Sequence, residues 1–198
     1  VAGFEVLALL HSAHAKRLEG DRDTADRLFQ EALTKSGKPP LRLSLAVAIY
    51  YASTQRLDAA LNVLSDRTQR DYDGVGLAGV LDRASSGQPV PGLVGSAADG
   101  IAEALFDIAS VLQRERRHSV AMIMAQLTLY MRPSFPLAQL LVAEILDDRQ
   151  RHEEALRIYR GISEFSAYHS LAQLRAASSL QDLARIDESI ELLRGLAT

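Results

Sequence analysis

Small residues return every 34 positions in the second half of the chain: Ala109, Ala143 and Ala177 keep that step, and Ala121, Ala155 and Ser189 keep it again twelve residues downstream. Each lies inside an amphipathic helical pattern, so one period holds two helices with one point of close approach apiece. A 34-residue period of this kind marks a helical-hairpin solenoid, in which no hairpin buries its apolar face alone and neighbours must stack. Alanine at a crossing lets two helices approach to about 8–10 Å. Large apolar side chains, Leu33, Tyr51, Leu61, Leu112, Leu146, Leu156, Tyr159 and Leu180, are then expected to fill the space between hairpins. The expected fold is all-α, a right-handed superhelical solenoid of antiparallel helix pairs.

Five hairpins can be placed, at about 4–37, 41–71, 97–133, 136–165 and 169–198. Gly20-Asp21 breaks the first, Asp21 or Asp23 is suited to cap its second helix, and Pro39 and Pro40 forbid that helix from continuing. Ala13 and Ala48 stand 35 apart, whereas Ala48 and Ala109 stand 61 apart, about 27 more than one period. The surplus falls in 72–100, which holds seven Gly, both Pro89 and Pro91, and one short helical candidate, Leu77 to Ala84. Its apolar residues, Leu77, Val80, Leu81, Val90, Leu93 and Val94, predict a degenerate repeat or a loop that packs back across one face, and insertions of this kind often sit on the binding face.

Composition fits that class and excludes others. The 198 residues are 47% apolar and 24% charged, enough to bury a core as one elongated array or two short ones. A net charge of −3 leaves no basic field for a phosphate backbone, so a nucleic-acid partner is not expected. The absence of Cys removes disulfides, thiolate metal sites and a Cys nucleophile. No apolar run reaches the roughly 18–20 residues of a membrane span. The 22 basic residues are 19 Arg and 3 Lys, a bias common in GC-rich bacterial genomes. The chain starts at Val1 and stops just after the apolar run Ile190 to Leu196, which reads as a fragment of a longer array.

Chemistry-bearing patterns are sparse. Gly74-Val75-Gly76-Leu77-Ala78-Gly79 fits G-x-G-x-x-G, but no strand precedes it, so a dinucleotide cradle is not expected. His11 and His14 stand three apart on a helix without a third ligand nearby, and read as surface or groove histidines. His118 and His152 occupy equivalent places in successive hairpins. Asp147, Asp148, Glu153 and Glu154, interleaved with Arg149 and Arg151, read as a solvated turn or as a docking patch for a basic partner. No catalytic residue, cofactor site or metal site is assigned.

The pattern resembles the tetratricopeptide repeat, W-x₂-L-G-x₂-Y…A-x₃-F…P. The third hairpin supplies Leu105, Ile108, Ala109, Leu112, Ala121, Ala125 and Pro133; the fourth, Val142, Ala143, Leu146, Ala155 and Tyr159; the second, Val47, Ala48, Tyr51, Ala60 and Leu64. The first supplies Ala13, Ala25, Phe29 and Ala32, with Lys16 where an aromatic is usual. No hairpin carries the family's Trp, and the fifth has Ser189 in place of Ala. The order of segments, with Ala102 to Phe106 after a Gly/Pro loop and then Leu129 to Pro133, looks like the long multi-repeat members of alphaproteobacteria, which implies a periplasmic or exported location more than a cytoplasmic one.

The resemblance implies a concave groove lined by the first helix of each hairpin. The implied lining is Leu7, Leu10, His14 and Arg17; Arg42, Leu45 and Ile49; Glu103, Phe106, Ser110 and Arg114; Leu137, Leu140, Glu144 and Asp148; and Leu171, Leu174, Ser178 and Gln181. Leu45, Phe106, Leu140 and Leu174 have an alternative reading, as core against the preceding hairpin. Leu, His, Ile and Glu stand where chaperone-binding relatives carry Lys and Asn, which argues against a carboxylate clamp. The expected function is a non-enzymatic scaffold that grips a peptide or helix of a partner protein. The alternatives are a structural array that self-associates, and a regulatory domain of a larger protein.

Overall fold

In the computed structural model of the chain, residues 2–65, 77–166 and 168–196 are described. They contain eleven helices: α1 (Ala2–Glu19), α2 (Arg22–Ser36), α3 (Leu41–Ser53), α4 (Leu57–Leu64), α5 (Leu77–Ser85), α6 (Ala97–Arg114), α7 (His118–Met131), α8 (Pro136–Asp148), α9 (His152–Arg160), α10 (His169–Asp182) and α11 (Ile186–Leu196). No strand occurs among the described residues. The chain divides into two compact units, Val1–Ala104 and Leu105–Thr198. The division falls inside α6 rather than in the Gly- and Pro-rich stretch.

Five turns share one backbone geometry. Gly20, Gln55, Arg116, Gln150 and Ala184 have positive φ, at 84°, 61°, 60°, 62° and 58°. The amide after each donates to a carbonyl five residues back: Asp21 to Lys16 (3.0 Å), Arg56 to Tyr51 (2.9 Å), Arg117 to Leu112 (2.9 Å), Arg151 to Leu146 (2.9 Å) and Arg185 to Leu180 (2.8 Å). A single left-handed residue thus ends each first helix while satisfying one of its orphan carbonyls. Arg116, Gln150 and Ala184 lie 34 residues apart, so the period of the small residues is also a period of backbone conformation. Only the first turn uses glycine, which is why the other four carry no obvious mark in the sequence.

His118 and His152 strap equivalent turns. Each opens a second helix and turns Nδ1 back to the end of the first, toward Gln113 Oε1 at 2.8 Å and Asp147 Oδ1 at 3.0 Å. Both acceptors are oxygens, so Nδ1 carries the hydrogen in both.

In the first unit α1 packs on α2 and α3 on α4. Asp21 caps α2 by accepting from the Thr24 amide at 3.1 Å, and Pro40 precedes the first turn of α3. Ala13, Ala25, Ala32, Ala48 and Ala60 are fully buried, with Phe29 and Tyr50 filling the space they leave, their ring centroids 4.3 Å apart. Asp26 on α2 ties this pair to the next turn: it accepts from Arg56 through both guanidinium nitrogens at 2.7 and 2.8 Å and from the Tyr50 hydroxyl. Leu61, expected as filler, is instead exposed. Ala60 and Leu64 take the inward positions of α4, and Leu61, about 100° farther round the helix than Ala60, faces out.

The surplus stretch packs back onto this unit. Its short helix α5 lies against α3 and α4. Beyond it Val90 and Val94 are buried, with Val90 in the same cluster as Leu10, Leu43 and Val47. Residues 66–76, with the first half of the Gly74 to Gly79 motif, lie outside the described residues.

In the second unit α7 packs on α8, α8 on α9, α9 on α10 and α10 on α11, so second helices meet the first helices that follow them. Ala109, Ala121, Ala143, Ala155 and Ser189 are fully buried, and Ala177 nearly so. Leu156, Tyr159 and Leu180 fill the core between them. Pro136 opens α8 at its first turn, where its missing N–H costs nothing, and Phe135 before it packs on Phe106 at 5.1 Å between centroids. Among the described residues no helix is long and apolar enough to cross a membrane.

Candidate protein-binding cleft

The repeat geometry decides which side chains of the second unit reach its first-helix face. On α8 and α10 the alanines at 143 and 177 turn inward, leaving Glu144 and Asp148, and Arg175, Ser178 and Asp182, on the other side of each helix. Together with Gln113 from α6, Asp147, Gln150, His152 and Tyr159 they line a cleft of about 520 Å³.

Two cross-links hold the cleft walls. The Ser179 hydroxyl on α10 donates to Asp147 on α8, with both carboxylate oxygens in reach at 3.1 and 2.9 Å. Arg175 and Glu144 pair across the same helices at 3.7 Å. Asp147 also receives His152, so one carboxylate organises a turn and two helices.

Four carboxylates, Glu144, Asp147, Asp148 and Asp182, face one guanidinium, Arg175, in this cleft. Burial holds the Glu144 carboxyl above its ordinary range, and Asp148 and Asp147 push it further, against the pull of Arg175. Burial likewise raises the Tyr159 hydroxyl, with the Asp147 and Glu144 charges adding to it. The cleft is therefore short of positive charge. A second depression of about 590 Å³ adjoins it through Asp148 and has the opposite character, lined by Arg116, Arg117, His118, Ser119, Val120 and Arg149.

Of the lining implied for this unit, Glu144, Asp148 and Ser178 border the cleft. Leu171 and Leu174 are exposed on α10, at 42% and 52%, and Ser110, Leu137, Arg114 and Gln181 keep partial or full exposure. Phe106 and Leu140 are buried and lie in the hairpin interior. The implied lining left out Gln113, Asp147, Gln150, His152, Tyr159, Arg175 and Asp182. Those at the turn were legible as a charge run, but nothing in the sequence brings Arg175 beside Glu144.

Among the described residues of the first unit, the implied lining is covered to differing degrees. Leu10 and His14 are buried, His14 standing edge-on to Phe29 at 5.2 Å inside the first hairpin. Glu103 is buried and pairs with Arg42, while Leu45 and Ile49 are half-covered against the core, Leu7 is partly buried, and Arg17 lies under Gly92. Leu10, His14 and Glu103 thus face the chain's own packing, whereas Leu7, Arg17, Arg42, Leu45 and Ile49 keep partial exposure.

Among the described residues no group of three or more His, Cys, Asp or Glu is placed to hold a metal ion.

No protein-family profile matches the sequence, and no curated protein matches it. Similar solved structures include two crystal structures of MamA. One is 15% identical, covering 93% of this chain and 92% of that one, with a TM-score of 0.47. The other is 16% identical, covering 97% of this chain and 90% of that one, with a TM-score of 0.46. The all-helical hairpin architecture rests on the turns and packing of this chain itself.

Proposed function

We propose that the chain is a non-enzymatic interaction scaffold that holds a peptide or helix of a partner protein on the first-helix face of its second unit. The observation that carries this reading is the cleft itself, where Glu144, Asp147, Asp148 and Asp182 face the single guanidinium of Arg175, whose pull on Glu144 is outweighed by burial and the neighbouring carboxylates. A Lys or Arg of a bound segment would add positive charge beside Arg175 in this cleft. The exposed Leu171 and Leu174 nearby on α10 add an apolar contact, so the partner segment carries Lys or Arg beside aliphatic residues. The arrangement of Ser179, Asp147 and His152 also supports a non-catalytic role. The carboxylate takes both the hydroxyl and the imidazole hydrogens, so the imidazole is not placed as a base for the serine.

Selection of peptides from a random library tests the reading. Wild-type protein is expected to enrich basic-aliphatic segments, Glu144→Lys to lose them at least tenfold, and Leu174→Ser to weaken them without loss of helicity. Equal enrichment by wild type and both variants would move the binding site off this face.

One observation favours self-association as a second reading. Ile123, Leu127 and Tyr130 are exposed at i, i+4 and i+7 on α7, one apolar stripe of that helix. Sedimentation velocity of wild type against Leu127→Glu distinguishes the two, since only self-association predicts a concentration-dependent wild-type coefficient that the variant abolishes.

A further inference from the structure

The first unit holds a segment of its own chain against α1 and its core. Helix α5 packs against α3 and α4, yet Gly92, seven residues beyond its end, touches α1. The chain after α5 therefore runs back toward the start of the unit. A side-chain carbon on Gly92 would lie 3.0, 3.1 and 3.2 Å from Nη1, Cζ and Nη2 of Arg17, nearly equal distances that mean the guanidinium lies flat against the glycine. Val90 is buried two residues before that contact, and Val94 two residues after it, against Gly100. Leu93 packs on the core that Leu45 and Ile49 partly cover.

What holds this strap is unusual for an ordered segment. Pro89 and Pro91 have no N–H to give, and the amides of Val90, Gly92, Leu93 and Val94 make no hydrogen bond to another described residue. Hydrogen bonds resume only at its edges, from Gln88 to the Arg83 carbonyl at 2.8 Å and from Gly95 to Asp99 at 3.1 Å. Burial of aliphatic side chains is thus its main attachment, with two prolines lowering the entropy lost on ordering. An attachment made mainly by side-chain burial can open locally while the helices beneath keep their own backbone hydrogen bonds.

We propose that residues 88–94 are a built-in occupant of a second binding surface of the first unit, formed by α1, α3 and the start of α6. When the strap lifts, that surface takes an extended segment of the same chemistry, with aliphatic side chains four residues apart and a residue without a side chain midway, over Arg17. The strap then sets the threshold for binding there, because an incoming segment must compete with one held at high effective concentration. This inference is independent of the cleft on the second unit.

The test uses the full chain and a labelled peptide of residues 86–96. Wild type is expected to bind the peptide weakly, and a Val90→Asp, Val94→Asp variant, whose own strap is disfavoured, at least tenfold more tightly. A peptide carrying the same two substitutions is expected to bind neither. Equal binding of the native peptide by wild type and variant, or none to a variant of native helicity, overturns the proposal. A second measurement covers a variant that fails to fold. The chain has no Cys, so Val94→Cys and Ala48→Cys each create a unique thiol. Under native conditions the first is expected to react with a thiol reagent at least a hundredfold faster than the second. Equal rates would mean that the strap opens only when the unit unfolds, and would also overturn the proposal.

Discussion

The hydroxyl of Ser189 donates to the carbonyl oxygen of Ala177 at 2.9 Å, so the two 34-residue series of small residues meet atom to atom in the fifth hairpin. Ser189 is fully buried where the other hairpins have Ala, and the only cost of its extra oxygen is met by this bond.

Substitutions at these crossings should be ordered by size, not polarity. The Ala177 carbonyl also accepts within its own helix, and the Gln181 amide that donates to the Ser189 hydroxyl at 3.3 Å belongs to an exposed side chain that water can satisfy, so Ser189→Ala is expected to cost no more than about 1 kcal/mol. Ser189→Leu and Ala143→Leu overpack the crossing and are expected to cost about 1–3 kcal/mol. Asp148→Ala, on an exposed position, should stay within about 0.5 kcal/mol. Urea melts of the four variants check the ranking.

The left-handed turn residues give a reciprocal pair. Ala184 adopts φ 58° with an exposed side chain, whereas Gly20 adopts φ 84° with open space where a side chain would sit. In the folded state, backbone strain is then the main difference either substitution makes, and it outweighs the opposing change in unfolded-chain entropy. Ala184→Gly is expected to stabilise by about 0.5–1 kcal/mol and Gly20→Ala to destabilise by about 1 kcal/mol, both read from thermal or denaturant melts.

The Arg56 guanidinium, helped by the Tyr50 hydroxyl, holds the Asp26 carboxyl below its ordinary value of 3.8. In the window between that value and the lowered one, the unfolded chain binds a proton at this site that the folded chain refuses. Stability from Asp26 is therefore complete above about pH 4 and is lost as pH falls through the lowered value. Asp26→Asn should flatten that part of the acid limb in melts from pH 2 to 6. Tyr50 is pushed the other way, up to about 12, by burial and the Asp26 carboxylate, and stays protonated throughout.

Glu144 has the opposite sign. Its folded value lies above the ordinary 4.5, so its ionised form penalises folding at neutral pH and the penalty vanishes below about pH 4. Glu144→Gln is expected to be more stable than wild type at pH 7 by up to about 1 kcal/mol, a modest figure because the group is partly solvated. The gain should vanish at pH 4, and the same variant should lose affinity for a basic segment, a trade of stability against binding seen by running melts and peptide titrations together.

The period, the helical class and the inward face were written in the sequence, because a helix that repeats a small residue every 34 positions must bury it and a solvent-facing charge run must not be buried. Ala109, Ala143, Ala177 and Ser189 could be placed from spacing alone, and α5 was legible from Leu77 onward. Tertiary structure decided the rest. Residues far apart in the chain share one face only after stacking, so no local pattern could set Arg175 beside Glu144 or Ser179 beside Asp147. Nor could any pattern tell which stretch of the implied groove would be open. His14 and Glu103 look like rim residues on a helical projection, but Phe29 and Arg42 claim them, and Gly92 covers Arg17 because burying Val90 and Val94 removes more apolar surface from water than leaving the strap in solvent would.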